Sequence, residues 1–173
     1  MINIKEQSSE MPSFSSEIMS EISRIISQYP EGKQKSALLR VLHIAQENCG
    51  GWLSVGTMNY VAQILNIKPI EVYEVATFYS MYNLKPVGKF VFEFCHTATC
   101  EPQARPIIEY TCKKLGIQSG QTTSDGMFTI KEVECLGACG YAPMMQLGHS
   151  YQEYLTTEKM DTIIEKLRTK GSL

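Results

Sequence analysis

Four of the six cysteines fall into two close pairs. Cys95 and Cys100 have four residues between them, Cys135 and Cys139 have three, and 34 residues separate the pairs, giving C-x4-C-x34-C-x3-C. Thiolates are soft ligands, and four of them supplied by two loops can surround one metal centre. The second pair lies in Glu134-Cys135-Leu136-Gly137-Ala138-Cys139-Gly140-Tyr141-Ala142-Pro143, a stretch rich in small residues and closed by a proline.

Three chemistries suit this pattern. A [2Fe–2S] cluster takes two thiolates on each iron, which two loop-borne pairs provide. A structural zinc also accepts four cysteines at such spacings, and would make the chain a zinc-stapled interaction module without a redox role. A disulfide within each pair requires an oxidising compartment, for which the chain carries no export signal. A thioredoxin-type dithiol needs C-x-x-C, which is absent. A plant-type ferredoxin places a third cysteine where this chain has Gln103.

Gly137, Ala138 and Gly140 let main-chain N–H groups approach sulfur, and such hydrogen bonds tune a cluster's reduction potential. Cys100 precedes the expected start of a helix, where the dipole favours a thiolate. Pro143 is a candidate for a cis peptide bond after Ala142. Cys112 falls on the apolar stripe of a helix and reads as a buried small hydrophobe; Cys49 ends a helix beside Gly50 without a partner in sequence. His43, His96 and His149 do not form the cysteine–histidine pairs of a Rieske centre and read as structural or solvent-facing, with His96 directed away from Cys95. There is no P-loop and no G-x-G-x-x-G, so no known nucleotide-binding loop is present and no catalytic residue is assigned.

The elements that must position the two pairs follow from periodicity. Residues 1–12 are polar and expected to be loosely held. Ile18, Ile22, Ile25 and Ile26 recur at helical spacing within a helix expected over Ser13–Gln28. A second helix is expected over Lys33–Asn48, a third after the N-cap Ser54, and a fourth opening at Pro69, so that four helices fill about residues 13–83. The character changes at Pro86-Val87-Gly88-Lys89. Phe90, Phe92 and Phe94 alternate in a strand that ends on Cys95. A helix begins between Glu101 and Pro106, on the expectation that proline is tolerated only in a first turn. A second strand, Met127–Glu134, delivers Cys135. Met144–Leu147 and Tyr151–Leu155 form a hairpin turning at Gly148-His149-Ser150, and Thr156 or Thr157 caps a last helix bearing Met160, Ile163, Ile164 and Leu167. The fold class is therefore α+β: a helical bundle over residues 1–83, then a thioredoxin-like domain over 84–173.

A formal charge of −2 with 20% charged residues gives no electrostatic reason for a nucleic-acid partner. Helices three and four resemble a helix-turn-helix, but Glu71 and Glu74 on the second would repel phosphates. No apolar run is long enough to span a bilayer, so direct membrane insertion is not expected. The first thirty residues carry Glu6, Glu10, Glu17 and Glu21 and fit neither a secretory signal nor an Arg-rich presequence.

The motif Cys135-Leu136-Gly137-Ala138-Cys139-Gly140-Tyr141-Ala142-Pro143, followed by Tyr154-Leu155-Thr156, resembles the small [2Fe–2S] subunit of respiratory NADH:quinone oxidoreductase (complex I), the 24-kDa type. Gly50-Gly51-Trp52-Leu53, Val75-Ala76-Thr77-Phe78-Tyr79-Ser80-Met81-Tyr82 and Pro86-Val87-Gly88-Lys89 match its helical half, and the likeness extends over roughly residues 33–170. His96-Thr97-Ala98-Thr99 and Glu101-Pro102 vary locally without touching the cysteine pattern. The resemblance implies a thioredoxin-like ferredoxin domain with one [2Fe–2S] cluster on Cys95, Cys100, Cys135 and Cys139. It also implies a helical docking region, and a partner subunit that binds NADH and FMN. Further iron–sulfur subunits are implied too, in the peripheral arm of a membrane-bound complex on the cytoplasmic side of a bacterial inner membrane. The same module is similar to subunits of NAD-linked hydrogenases and formate dehydrogenases.

Overall fold

The computed structural model describes residues 11–172. Most of the segment expected to be loosely held, residues 1–10, lies outside the described residues. The chain divides into two compact units between Pro86 and Val87.

The first unit is helical. Helix α1 (Ser16–Ile26) starts at Ser15, whose hydroxyl accepts the Ile18 N–H, and so begins later than the apolar periodicity suggested. The second expected helix opens as a 3₁₀ turn, Gln34–Ala37, and becomes α-helical only over α2 (Leu38–Asn48). Helix α3 (Val55–Leu65) has Ser54 as its N-cap, whose Oγ accepts the Thr57 N–H at 3.0 Å. Helix α4 (Pro69–Phe78) opens on proline, where the missing N–H has no intrahelical partner to lose. The Glu71 carboxylate then caps it backwards, accepting the Lys68 N–H at 2.9 Å. The stripes close on one core of Ile22, Ile25, Val41, Leu42, Val61, Leu65, Val72 and their neighbours.

The second unit is a two-layer α+β fold. Its sheet has the order β2-β1-β3-β4, with β1 (Phe90–Cys95), β2 (Phe128–Val133), β3 (Met145–Leu147) and β4 (Ser150–Gln152). Strand β1 runs parallel to β2, from Phe90 opposite Phe128 to Cys95 opposite Val133, and antiparallel to β3, with Phe94 opposite Met145. The period of two places Phe92, Phe94, Phe128, Ile130, Met145 and Leu147 on one face. There they pack with α5 (Glu101–Leu115) and α6 (Thr157–Lys170) through Ile107, Ile108, Met160, Ile163, Ile164 and Leu167. Burying each large apolar side chain stabilises by about 1.5–3 kcal/mol. Thr156 caps α6, its Oγ1 accepting the Lys159 N–H at 3.2 Å.

Gly88 fixes how the chain enters β1. A Cβ there would stand 2.9 Å from backbone atoms of Met127 and Phe128, so only glycine lets the strands approach, and the Gly88 N–H donates to Thr129 Oγ1 at 2.7 Å.

Three expectations are corrected. Helix α5 starts at Glu101, within the expected range and with Pro102 in its first turn, but it runs on through Pro106, against the expectation that proline is confined to the first turn. Pro106 lacks the N–H that would have met the Pro102 carbonyl, and the helix tolerates this because its inner face is held by Ala104, Ile107 and Ile108. The hairpin turns on Gly148-His149 and its second strand ends at Gln152, because Tyr154 takes a positive φ of 45° that no strand can continue through. Cys112 is half-buried at the edge of the core rather than within it.

Candidate metal centre

Strand β1 ends on Cys95, and the chain then makes a tight turn in which the Cys100 N–H returns to the Thr97 carbonyl at 2.8 Å. Helix α5 starts immediately after, so Cys100 is its N-cap residue. Strand β2, paired in parallel beside β1, ends two residues before Cys135. Parallel pairing thus puts both cysteine loops at the same end of the sheet. A 3₁₀ turn, Cys139–Tyr141, carries the last cysteine, and the Ala142–Pro143 bond beyond it is cis.

The pairs differ in exposure. Cys95 and Cys100 are buried with Met144, under Leu136, Ala138 and Ala142, whereas Cys135 and Cys139 are exposed. All six cysteines are free. The Cys100 thiol lies close enough to the Cys95 and Cys139 sulfurs to be perturbed by both. Cys135 is placed on the same loop, with its sulfur accepting the Gly137 N–H at 3.3 Å. Among the described residues no group of three or more His, Cys, Asp or Glu side chains is gathered tightly enough to hold a single metal ion.

The surroundings act differently on the buried thiols. Burial opposes ionisation of Cys95. Hydrogen bonds from the Thr97 hydroxyl, the Leu136 and Thr97 amides and Cys100 outweigh it and hold that thiol below its ordinary value. Burial, reinforced by the Cys95 and Cys139 sulfurs, pushes Cys100 up to about 11. A thiol so placed keeps its proton in water, and would release it only when a positively charged centre took the proton's place on sulfur.

The donor set fits a [2Fe–2S] group: four free thiols, two from each of two loops, and two main-chain amides aimed at sulfur. Leu136 supplies one of those amides and its successor the other. Gly137 takes a φ of 73°, which turns its N–H back toward Cys135 at little steric cost.

The loop is strapped from outside by residues 151–155. Tyr151 Oη donates to the Leu136 carbonyl at 2.7 Å, Tyr154 Oη to the Gly140 carbonyl at 3.4 Å, and the amides of Tyr154 and Leu155 to the carbonyls of Tyr141 and Pro143. Sequence reasoning placed these tyrosines in a hairpin and missed the strap, which depends on where the hairpin folds back.

Beside the buried pair, Arg105 bridges Glu101 and Glu132, with Nε to Glu101 Oε1 at 2.7 Å and Nη2 to Glu132 Oε2 at 2.9 Å. His96, just past the end of β1, has its Nδ1 3.9 Å from Oε2 of each glutamate, so the ring turns toward this charged group. Cys112 lies on α5, and Cys49 just past the end of α2 in the first unit; burial pushes both thiols up.

A family model described as thioredoxin-like [2Fe–2S] ferredoxin matches residues 22–168. An NADH-quinone oxidoreductase subunit of Rickettsia bellii (strain RML369-C) is 46% identical over 157 residues, 90% of this chain and 94% of that protein. The corresponding protein of Rickettsia conorii (strain ATCC VR-613 / Malish 7) is 47% identical over 145 residues, 83% of this chain and 87% of its own. Among solved structures, an NAD+-reducing [NiFe]-hydrogenase in the H2-reduced state superposes with a TM-score of 0.67 at 21% identity. That match covers 78% of this chain and 22% of the hydrogenase chain, and at this identity it speaks for the fold alone.

Proposed function

The chain belongs to the thioredoxin-like [2Fe–2S] ferredoxin family, and from that premise we propose that it is an electron-transfer subunit of an NADH:quinone oxidoreductase. In this reading it holds one cluster on Cys95, Cys100, Cys135 and Cys139, close to the FMN of an NADH-oxidising partner subunit. The complex carries further iron–sulfur subunits and is membrane-bound, with this chain in its peripheral arm on the cytoplasmic side of a bacterial inner membrane. The observation that carries the reading is the identity to an NADH-quinone oxidoreductase subunit over nine-tenths of the chain, spanning both cysteine loops. No helix among the described residues is long and apolar enough to cross a membrane, which accords with a peripheral place.

When bound, a [2Fe–2S] cluster supplies one-electron transfer. The chain's own residues do the rest. Leu136, Ala138, Ala142 and Met144 shield the buried thiols from water. The Leu136 and Gly137 amides offset negative charge on the Cys95 and Cys135 sulfurs. The exposed side, at Cys135 and Cys139, leaves a face toward which an electron partner can approach. A hydride carries two electrons, so a flavin on another chain must stand between NADH and a one-electron carrier.

Residues 1–83 serve this reading as a docking region. Phe78, Tyr79 and Met81 stand exposed where α4 ends, and an exposed apolar group of this kind suits a protein partner.

The purified chain is expected to be coloured when oxidised and to contain about two irons and two acid-labile sulfides. Colourless protein with stoichiometric zinc, from cells with adequate iron, would favour the zinc-stapled module instead. NADH should leave the visible absorption of the isolated chain unchanged and bleach it once the flavin subunit is added. Rapid bleaching by NADH alone would defeat the assignment.

A further inference from the structure

One peptide unit, that between Leu136 and Gly137, is hydrogen-bonded at both ends. Its N–H donates to Cys135 Sγ at 3.3 Å, and its carbonyl accepts the Tyr151 hydroxyl at 2.7 Å. The two bonds share one polarisable amide, so each strengthens the other. The tyrosine bond also fixes which way the amide faces. Gly137, with its φ of 73°, has no side chain to resist a flip of this peptide, so the orientation must be held from elsewhere.

Nothing else on the strap does this. Tyr154 Oη reaches the Gly140 carbonyl, but the N–H of that peptide unit, on Tyr141, donates to the Ala138 carbonyl at 3.0 Å and not to a sulfur. The two tyrosines therefore form a natural comparison: neighbouring, both exposed, both bonded to the same loop, and only one coupled to a cysteine.

We infer that Tyr151 is a positioning residue for electron transfer, holding the Leu136–Gly137 peptide with its N–H on Cys135 and so setting the reduction potential of the bound centre. This rests on the proposed assignment of Cys135 as a ligand. A donor to a ligating sulfur stabilises the more negative, reduced form, so loss of that donor lowers the potential.

The test compares the full-length wild type with Tyr151→Phe and Tyr154→Phe, each loaded with iron and sulfide. Metal content is measured first, then the midpoint is taken from a redox titration followed by visible absorption. Expected is full loading in all three, a midpoint shifted to more negative potential in Tyr151→Phe, and a midpoint in Tyr154→Phe that coincides with wild type. Iron–sulfur stretching frequencies in the Raman spectrum should change with Tyr151→Phe and not with Tyr154→Phe. Full loading with coincident midpoints overturns the inference while leaving the cluster assignment intact. Equal shifts in both variants overturn it too, because the strap would then act through loop rigidity alone. A folded Tyr151→Phe chain that loads no cluster assigns the hydroxyl to closing the loop and likewise overturns the tuning role. Absence of iron from the wild type itself would fail the functional reading on which the inference stands, an outcome visible before any potential is measured.

Discussion

Leu136 is the residue where the two cysteine pairs meet, with its amide on Cys95, its side chain over the buried thiols and its carbonyl on Tyr151. None of this was legible in the sequence, where Leu136 is one apolar residue between Cys135 and Gly137 and Tyr151 one aromatic in a strand. The cysteine pattern was legible because ligand spacing is local, whereas these contacts join residues 15 and more positions apart through the fold. At this scale the expectation is that serine at Cys95, Cys100, Cys135 or Cys139 abolishes or impairs the bound centre, read as iron content and visible absorption. Cys49→Ser and Cys112→Ser should retain it. Cys112 is only half-buried, so its hydroxyl replacement should lower stability by about 1 kcal/mol, measured from urea midpoints. Loss of iron from a well-folded Cys112→Ser chain would mean that the ligands are wrongly assigned.

The elements were legible where burial imposes a period. The stripes Ile18–Ile26 and Met160–Leu167, the aromatic alternation of β1 and the caps Ser54 and Thr156 all stand where their patterns indicated. Boundaries set by tertiary packing were not. Helix α5 crosses Pro106 because its core face outweighs one missing hydrogen bond, and β4 stops short because Tyr154 turns to meet the cysteine loop. Two substitutions test the positions on which element geometry rests most. Ser54→Ala should cost about 1–2 kcal/mol, since it strips the α3 N-cap and the 2.9 Å contact with the Thr57 hydroxyl together. Gly88→Ala should cost about 1–3 kcal/mol, because its methyl meets backbone, which cannot rotate away. Each is checked by denaturant unfolding, and an unchanged Gly88→Ala midpoint would show that the strand entry can shift freely.

The whole molecule carries separate cores, one drawn wholly from residues before Pro86 and the others from residues after it. Thermal unfolding should therefore resolve into two transitions, and removing the metal centre should move only the one belonging to residues 87–172. A single transition with equal calorimetric and van't Hoff enthalpies would count against this. A chain lacking residues 1–83 should keep the centre and associate poorly with its flavin partner, as judged by co-purification. Normal assembly of the truncated chain would move the partner contacts to the second unit. The unequal burial of the four thiols has a bearing on wear as well. An oxidant or chelator arriving from solvent meets Cys135 and Cys139 first, while Cys95 and Cys100 stay sheltered beneath Leu136 and Met144. The apolar layer that holds the second unit together, under Phe92, Phe128 and Ile164, does not include the outer loop. If the four thiols are the ligands, loss of the centre is expected to start at this exposed rim, and where its cysteines are not oxidised beyond a reversible stage the folded second unit should remain as a seat on which the centre can be rebuilt.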